Sequence, residues 1–194
     1  MSDITILKEM FKPDILKELK NRQAGTHEIY WVELDEPQAN YFVIIDQMSR
    51  NNEVIIIKPD AFKAPTQIFN GNKRECKRSD FVIVDEKERV ILYIEMKRGK
   101  GAKKDVTAQL TGAKCFVSYC KEIGKEFWKK EKFLDNYRHL FIQITHIQNS
   151  KNKSRETSQK RITRSHAIHD SPDRFLEVPY RSKLKFHKLI KPYE

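Results

Sequence analysis

Two carboxylates and a lysine can form a hydrolytic centre if the fold brings them to one face. The stretch from Asp80 to Lys97 has the means: Asp80-Phe-Val-Ile-Val-Asp85, then Glu-Lys-Glu-Arg, then Val90-Ile-Leu-Tyr-Ile-Glu95-Met-Lys97. It reads as two apolar strands joined by four charged turn residues, a β-hairpin. In the register that pairs Asp85 with Val90, Asp80 lies opposite Glu95. Opposed residues share a face, with Cβ atoms about 4.5 to 5.5 Å apart, close enough for two carboxylates to share a divalent cation. Lys97, two residues beyond Glu95, projects from the same face. Charges gathered on an apolar hairpin are costly unless a cation or substrate uses them. The chemistry they suit is phosphodiester hydrolysis: oxygen ligands hold Mg²⁺ or Mn²⁺, the ion acidifies bound water, and the lysine aligns that water or neutralises charge developing at phosphorus. Acid-x-Lys triplets also begin at Glu18, Glu75 and Asp85; only the one at Glu95 ends a strongly apolar strand with a carboxylate across a hairpin. The competing reading is a solvated, salt-bridged hairpin end, which a register slip of one residue would produce.

The elements that must position these residues are legible around them. Leu7, Met10, Phe11, Ile15 and Leu19 recur at helical spacing and predict an amphipathic helix over Thr5–Arg22, packed on a sheet despite Pro13. Strands are expected at Glu28–Leu34, Tyr41–Ile45, Val54–Lys58, Phe81–Val84 and Val90–Lys97. A helix over Lys104–Gly124 follows, with Asp105 as its N-cap and Gly124 as its stop, then a strand at Leu140–Ile147. Arg181–Ile190 alternates as a strand with a basic face would. Strands, a helix and strands again predict an α/β (α+β) domain over residues 1–194 with a central mixed β-sheet flanked by helices.

Charge is unevenly spread. Residues 1–60 carry 7 Lys+Arg against 11 Asp+Glu, in a chain whose net charge is +11, so the basic excess lies beyond them. Such a field draws in polyanions, nucleic acid foremost. Directly after Lys97 come Arg98, Lys100, Lys103 and Lys104, interleaved with two glycines before a helix start, a layout that lets backbone and charge approach phosphate. Arg155, Lys160, Arg161 and Arg164 lie in a polar, basic segment at about 149–165, read as a loop that could add flanking contacts. Cys76, Cys115 and Cys120 form no CxxC pair and no even-numbered framework, and no apolar run approaches a membrane span, which leads to the expectation of a cytoplasmic protein with no membrane partner. His166 and His169 lack a matching ligand pair and are discounted as a metal site, and no Walker sequence or nucleophile elbow is present.

The hairpin and the helix after it resemble the PD-(D/E)XK nuclease superfamily, which includes restriction endonucleases, Holliday-junction resolvases and repair nucleases. The resemblance covers about residues 79–117, with Ser79 where the motif's proline would stand. It implies a restriction-endonuclease-like core, Mg²⁺ or Mn²⁺ held by Asp80, Glu95 and the Met96 carbonyl, Lys97 on water and phosphate, and Gln109 near the centre from the following helix. Asp60, in a literal Pro-Asp pair, is the reserve acid, and Glu18 or Glu28 could supply a further one. The implied activity is a deoxyribonuclease, RNA not being excluded, working as a homodimer or in a larger nuclease complex. Two other classes stay open: a non-catalytic nucleic-acid-binding module of the same fold, and a basic adaptor for an acidic protein with Phe127 and Trp128 as anchors.

Overall fold

The computed structural model describes residues 1–36, 41–99, 101–146, 168–180 and 183–191. Helix α1 (Asp3–Met10) starts at Ser2, whose hydroxyl accepts the Thr5 N–H at 3.1 Å. It ends at Phe11 and does not run on to Arg22. Pro13 is the cause: it forces Lys12 into extended backbone (φ −68°, ψ 146°) and opens a single 3₁₀ turn, Pro13–Ile15. The later part of the helical spacing lies instead in this turn and in β1 (Leu16–Lys17), β2 (Lys20–Ala24) and the connection between them. β3 (His27–Glu36), β4 (Tyr41–Met48), β5 (Val54–Ile57), β6 (Phe81–Asp85) and β7 (Val90–Arg98) follow, then α2 (Lys103–Phe127), β8 (Arg138–His146), β9 (Leu176–Tyr180), β10 (Lys183–Lys185) and α3 (Phe186–Ile190).

The strands form two sheets where the sequence predicts one. The central sheet has the order β1-β5-β6-β7-β8-β9, antiparallel from β1 to β7 and parallel from β7 to β9, so it is mixed as expected. The second has the order β10-β4-β3-β2. One face of the central sheet presents Ile55, Val82, Val84, Ile91 and Tyr93 to Ile4 and Leu7 of α1 and to Val106, Leu110, Ala113 and Val117 of α2. The other face packs Ile83, Leu92, Ile94 and Met96 against Val32, Leu34, Val43 and Ile45 of the second sheet. Because β6 and β7 are covered on both faces, they read as continuous apolar runs without alternation. Each large side chain sealed in this way contributes about 1.5–3 kcal/mol.

Several local expectations need correction. The N-cap of α2 is Ala102, which makes no side-chain cap; Asp105 lies in the first turn and pairs with Arg74. Gly124 does not stop the helix, which runs to Phe127. It is a point of close approach, where a Cβ would come within 2.0 Å of the buried Phe133 ring. Gly112 acts likewise, since a Cβ there would lie 1.7 Å from the Lys77 carbonyl oxygen, so α2 presses directly on the backbone leading to Ser79 and Asp80. In the tail, Phe186, Leu189 and Ile190 bury at helical spacing, which turns the expected strand into β10 followed by α3.

The start of the chain is tied to the β6–β7 turn. The Asp3 N–H donates to Glu86 at 2.9 Å, and the buried Asp3 carboxylate meets Lys130 at 2.8 Å, Tyr137 at 3.0 Å and Arg89 at 3.7 Å. No described helix is long and apolar enough to cross a membrane.

Candidate active site

The hairpin has the register read from the sequence: Asp85 pairs with Val90 and Phe81 with Ile94. One more step sets Asp80, the residue before β6, opposite Glu95. Asp80 docks on the neighbouring backbone, its Oδ2 accepting the Met96 N–H at 2.6 Å. A strand residue's N–H and C=O project to the same side, so the Met96 carbonyl also faces the Asp80 side. Odd-numbered residues of β7 face α2. Glu95 is therefore fully buried beneath that helix, and Lys97, at the strand's end, brings its Nζ to 2.5 Å from Glu95 Oε1. Neither Glu95 oxygen has a well-aligned hydrogen bond.

This environment sets the acidity of both carboxyls. Burial pushes Asp80 above the ordinary carboxylate range, the Glu95 charge adds to the rise, and the Met96 N–H and Lys97 oppose it. Burial raises Glu95 in turn, opposed by the Lys97 ammonium and the Gln109 amide and reinforced by Glu36. Gln109, on the second turn of α2, thus acts on the Glu95 carboxylate; the sequence reading placed it near the centre and named no partner for it.

A third carboxylate acts on this pair electrostatically. Glu36, at the end of β3, adds its charge to Asp80 and to Glu95. Glu28 instead accepts from Tyr30 and Asn21 on the second sheet, and Glu18 is exposed between β1 and β2. Asp60 sits in a 3₁₀ turn, where its charged neighbours are Lys58 and Asp35. Among the described residues, no three His, Cys, Asp or Glu side chains are grouped as a metal site; the oxygen donors gathered at the hairpin end are Asp80, Glu95 and the Met96 carbonyl.

The parallel ladder extends the row. Glu95 pairs with Gln143, and Gln143 with Glu177, so Asp80, Glu95, Gln143 and Glu177 cross four strands on the α2 face. Gln143 is buried and donates to Thr145 at 3.2 Å, while a Cβ on Gly101 would come within 3.2 Å of Lys97 Cγ and 3.5 Å of Gln143 Nε2. Gly101 therefore lets the chain after β7 turn tightly over the site. Sequence reasoning missed Gln143, yet a lone amide within the apolar run Leu140–Ile144 was a visible signal.

Arg98 ends β7, and Lys103 and Lys104 open α2, all three exposed. Lys100, Arg155, Lys160, Arg161, Arg164 and His166 lie outside the described residues, as does the expected basic loop. His169 is buried and bonds the Leu189 carbonyl at 3.1 Å, a structural role. Cys120 is buried on the apolar face of α2, as expected. Phe127 is exposed, whereas Trp128 turns inward, its indole donating to Glu9 at 2.9 Å. Comparison with protein-family models, with curated proteins and with solved structures finds no match.

Proposed function

We propose that this chain is a metal-dependent nuclease of the PD-(D/E)XK type that hydrolyses DNA phosphodiester bonds, acting as an endonuclease in restriction, repair or defence. The observation that carries the reading is Asp80, docked on the Met96 N–H, beside a fully buried Glu95 that is ion-paired to Lys97. The element order agrees with a restriction-endonuclease-like core: helix α1, the antiparallel strands β5, β6 and β7, crossover helix α2, and β8 parallel to β7.

The donor set fits Mg²⁺ or Mn²⁺, because it consists of oxygens and includes two buried carboxylate oxygens lacking aligned hydrogen bonds. Asp80, Glu95 and the Met96 carbonyl would hold the ion, which when bound supplies an acidified water and compensates negative charge. Gln109 steadies Glu95. Lys97 holds a positive charge where negative charge builds on the scissile phosphate. Lys103 and Lys104 stand in the first turn of α2, where cations oppose the helix dipole, and a bound phosphate would relieve that conflict.

The test is cleavage of plasmid and linear DNA with Mg²⁺, Mn²⁺ or EDTA, with an RNA control. Metal-dependent cutting should fall at least about a hundredfold in both Lys97→Ala and Asp80→Ala. Salt-sensitive binding with no cutting of either nucleic acid by wild type would favour a non-catalytic module.

A further inference from the structure

A cleft of about 580 Å³ beside this centre has no part in the hydrolytic scheme. Glu36 belongs to both places, lining the cleft while its charge acts on Asp80 and Glu95. His146, on another wall, pairs in register with Arg98 at the end of β7.

The walls are aromatic. The Tyr41 and His146 rings stack with centroids 5.0 Å apart and planes 23° apart, and Tyr180 leans on His146 at 6.5 Å. The Phe42 ring, also lining the cleft, is 50% exposed. Two polar atoms are left over: the hydroxyl of Tyr41, a residue only 9% exposed, and Nδ1 of His146 have no hydrogen-bond partner among the described residues. A buried hydroxyl without a partner is costly, and a ligand that pairs with it removes the cost.

The rim decides what kind of ligand this is. Asp35 is engaged by Lys17, and Glu33 and Glu36 add further carboxylates to the lining. Carboxylates repel a phosphate but accept from ring N–H and amino groups. A flat ring with donors on one edge and an acceptor beside them suits this wall. Guanine has that edge: N1–H and the 2-amino group can meet one carboxylate while O6 accepts from the Tyr41 hydroxyl. The phosphate of such a nucleotide would lie outside, toward Arg98, the register partner of His146.

We propose that the cleft takes one unpaired nucleobase of the substrate, guanine in preference, and so directs cutting to single-stranded or locally opened sites. The choice of nucleic acid rests on the nuclease reading; the stacked rings and the orphan hydroxyl do not. Stacking combined with Watson–Crick-edge contacts is how proteins read extruded and single-stranded bases.

The experiment uses labelled single-stranded oligothymidylate carrying one central dG, dA, dC or dT. Fluorescence anisotropy in EDTA reads binding, and gel analysis with Mn²⁺ reads cutting. Wild type should bind the dG strand about tenfold more tightly than the others, the effect of one charge-assisted hydrogen bond. Glu33→Gln, and Tyr41→Phe, which removes the hydroxyl assigned to O6, should each abolish that preference while plain oligothymidylate is still cut. Equal affinity for all four strands, or a dG preference that survives both substitutions, overturns the cleft assignment even if Mn²⁺-dependent cutting persists. A dG preference lost in both variants, with no cutting in any metal, supports the cleft and overturns the nuclease reading.

Discussion

Asp80 and Glu95 carry opposing demands. Each is held above the ordinary carboxylate range, chiefly by burial. A carboxyl whose folded pKa is raised binds more protons folded than unfolded, so its contribution to stability falls as pH rises from the unfolded value through the folded one. Removing one charge should therefore stabilise the metal-free protein. Asp80→Asn is expected to gain about 1–3 kcal/mol near pH 8 and almost nothing near pH 4, measured by denaturant unfolding in EDTA. A gain independent of pH would mean that its cause is packing rather than charge. This pair was legible in the sequence because four turn residues fix the register of a short hairpin, and the register fixes the faces. Glu36 was not legible. It reaches the centre only because the end of β3 comes near the hairpin in space, a relation that no local spacing encodes.

At the scale of elements, α2 is the part whose placement matters most. It covers Glu95, delivers Gln109, and crosses the backbone before Asp80 so closely at Gly112 that a side chain there would meet the Lys77 carbonyl oxygen at 1.7 Å. Backbone cannot yield as a flexible side chain can. Gly112→Ala should cost about 2–4 kcal/mol in thermal or chemical unfolding and displace the Lys77–Asp80 segment, lowering metal-dependent cleavage more than Ala at the neighbouring exposed Thr111 does. Equal stability of the two variants would show that the segment moves freely. Apolar period located α2 to within three residues at either end, since a face of Val106, Leu110, Ala113 and Val117 admits no rival. The same cue failed at α1, where the spacing ran on through Pro13 and backbone chemistry overrode it. β9 escaped notice because it is a short edge strand holding Pro179, which strand patterns penalise.

Across the whole molecule, the division of charge along the sequence does not become a division between layers: in the second sheet Glu28, Glu33, Asp35, Glu36 and Asp46 are nearly balanced by Lys20, Arg22, Lys183 and Lys185. The first sixty residues also supply α1, β1 and β5, and Lys103 and Lys104 open α2 on the far side of the central sheet from the second sheet. A polyanion would be drawn to the exposed cations that open α2. Titrating DNA at several salt concentrations should give a steep dependence of affinity on salt. Replacing both Lys103 and Lys104 by Ala should reduce the log–log slope for duplex by about 1.8, because each phosphate that a lysine neutralises adds about 0.9. An unchanged slope would mean that other cations meet the DNA backbone.

Asp3 gives the hairpin a guardian at the opposite end of the sequence. The β6–β7 turn determines which carboxylate faces which, and its Glu86 and Arg89 are both engaged by a residue of α1. The pairing of Asp80 with Glu95 is thus not left to four turn residues alone. The first element of the chain clamps the turn, so the alignment of Asp80 with Glu95 is tied to the docking of α1.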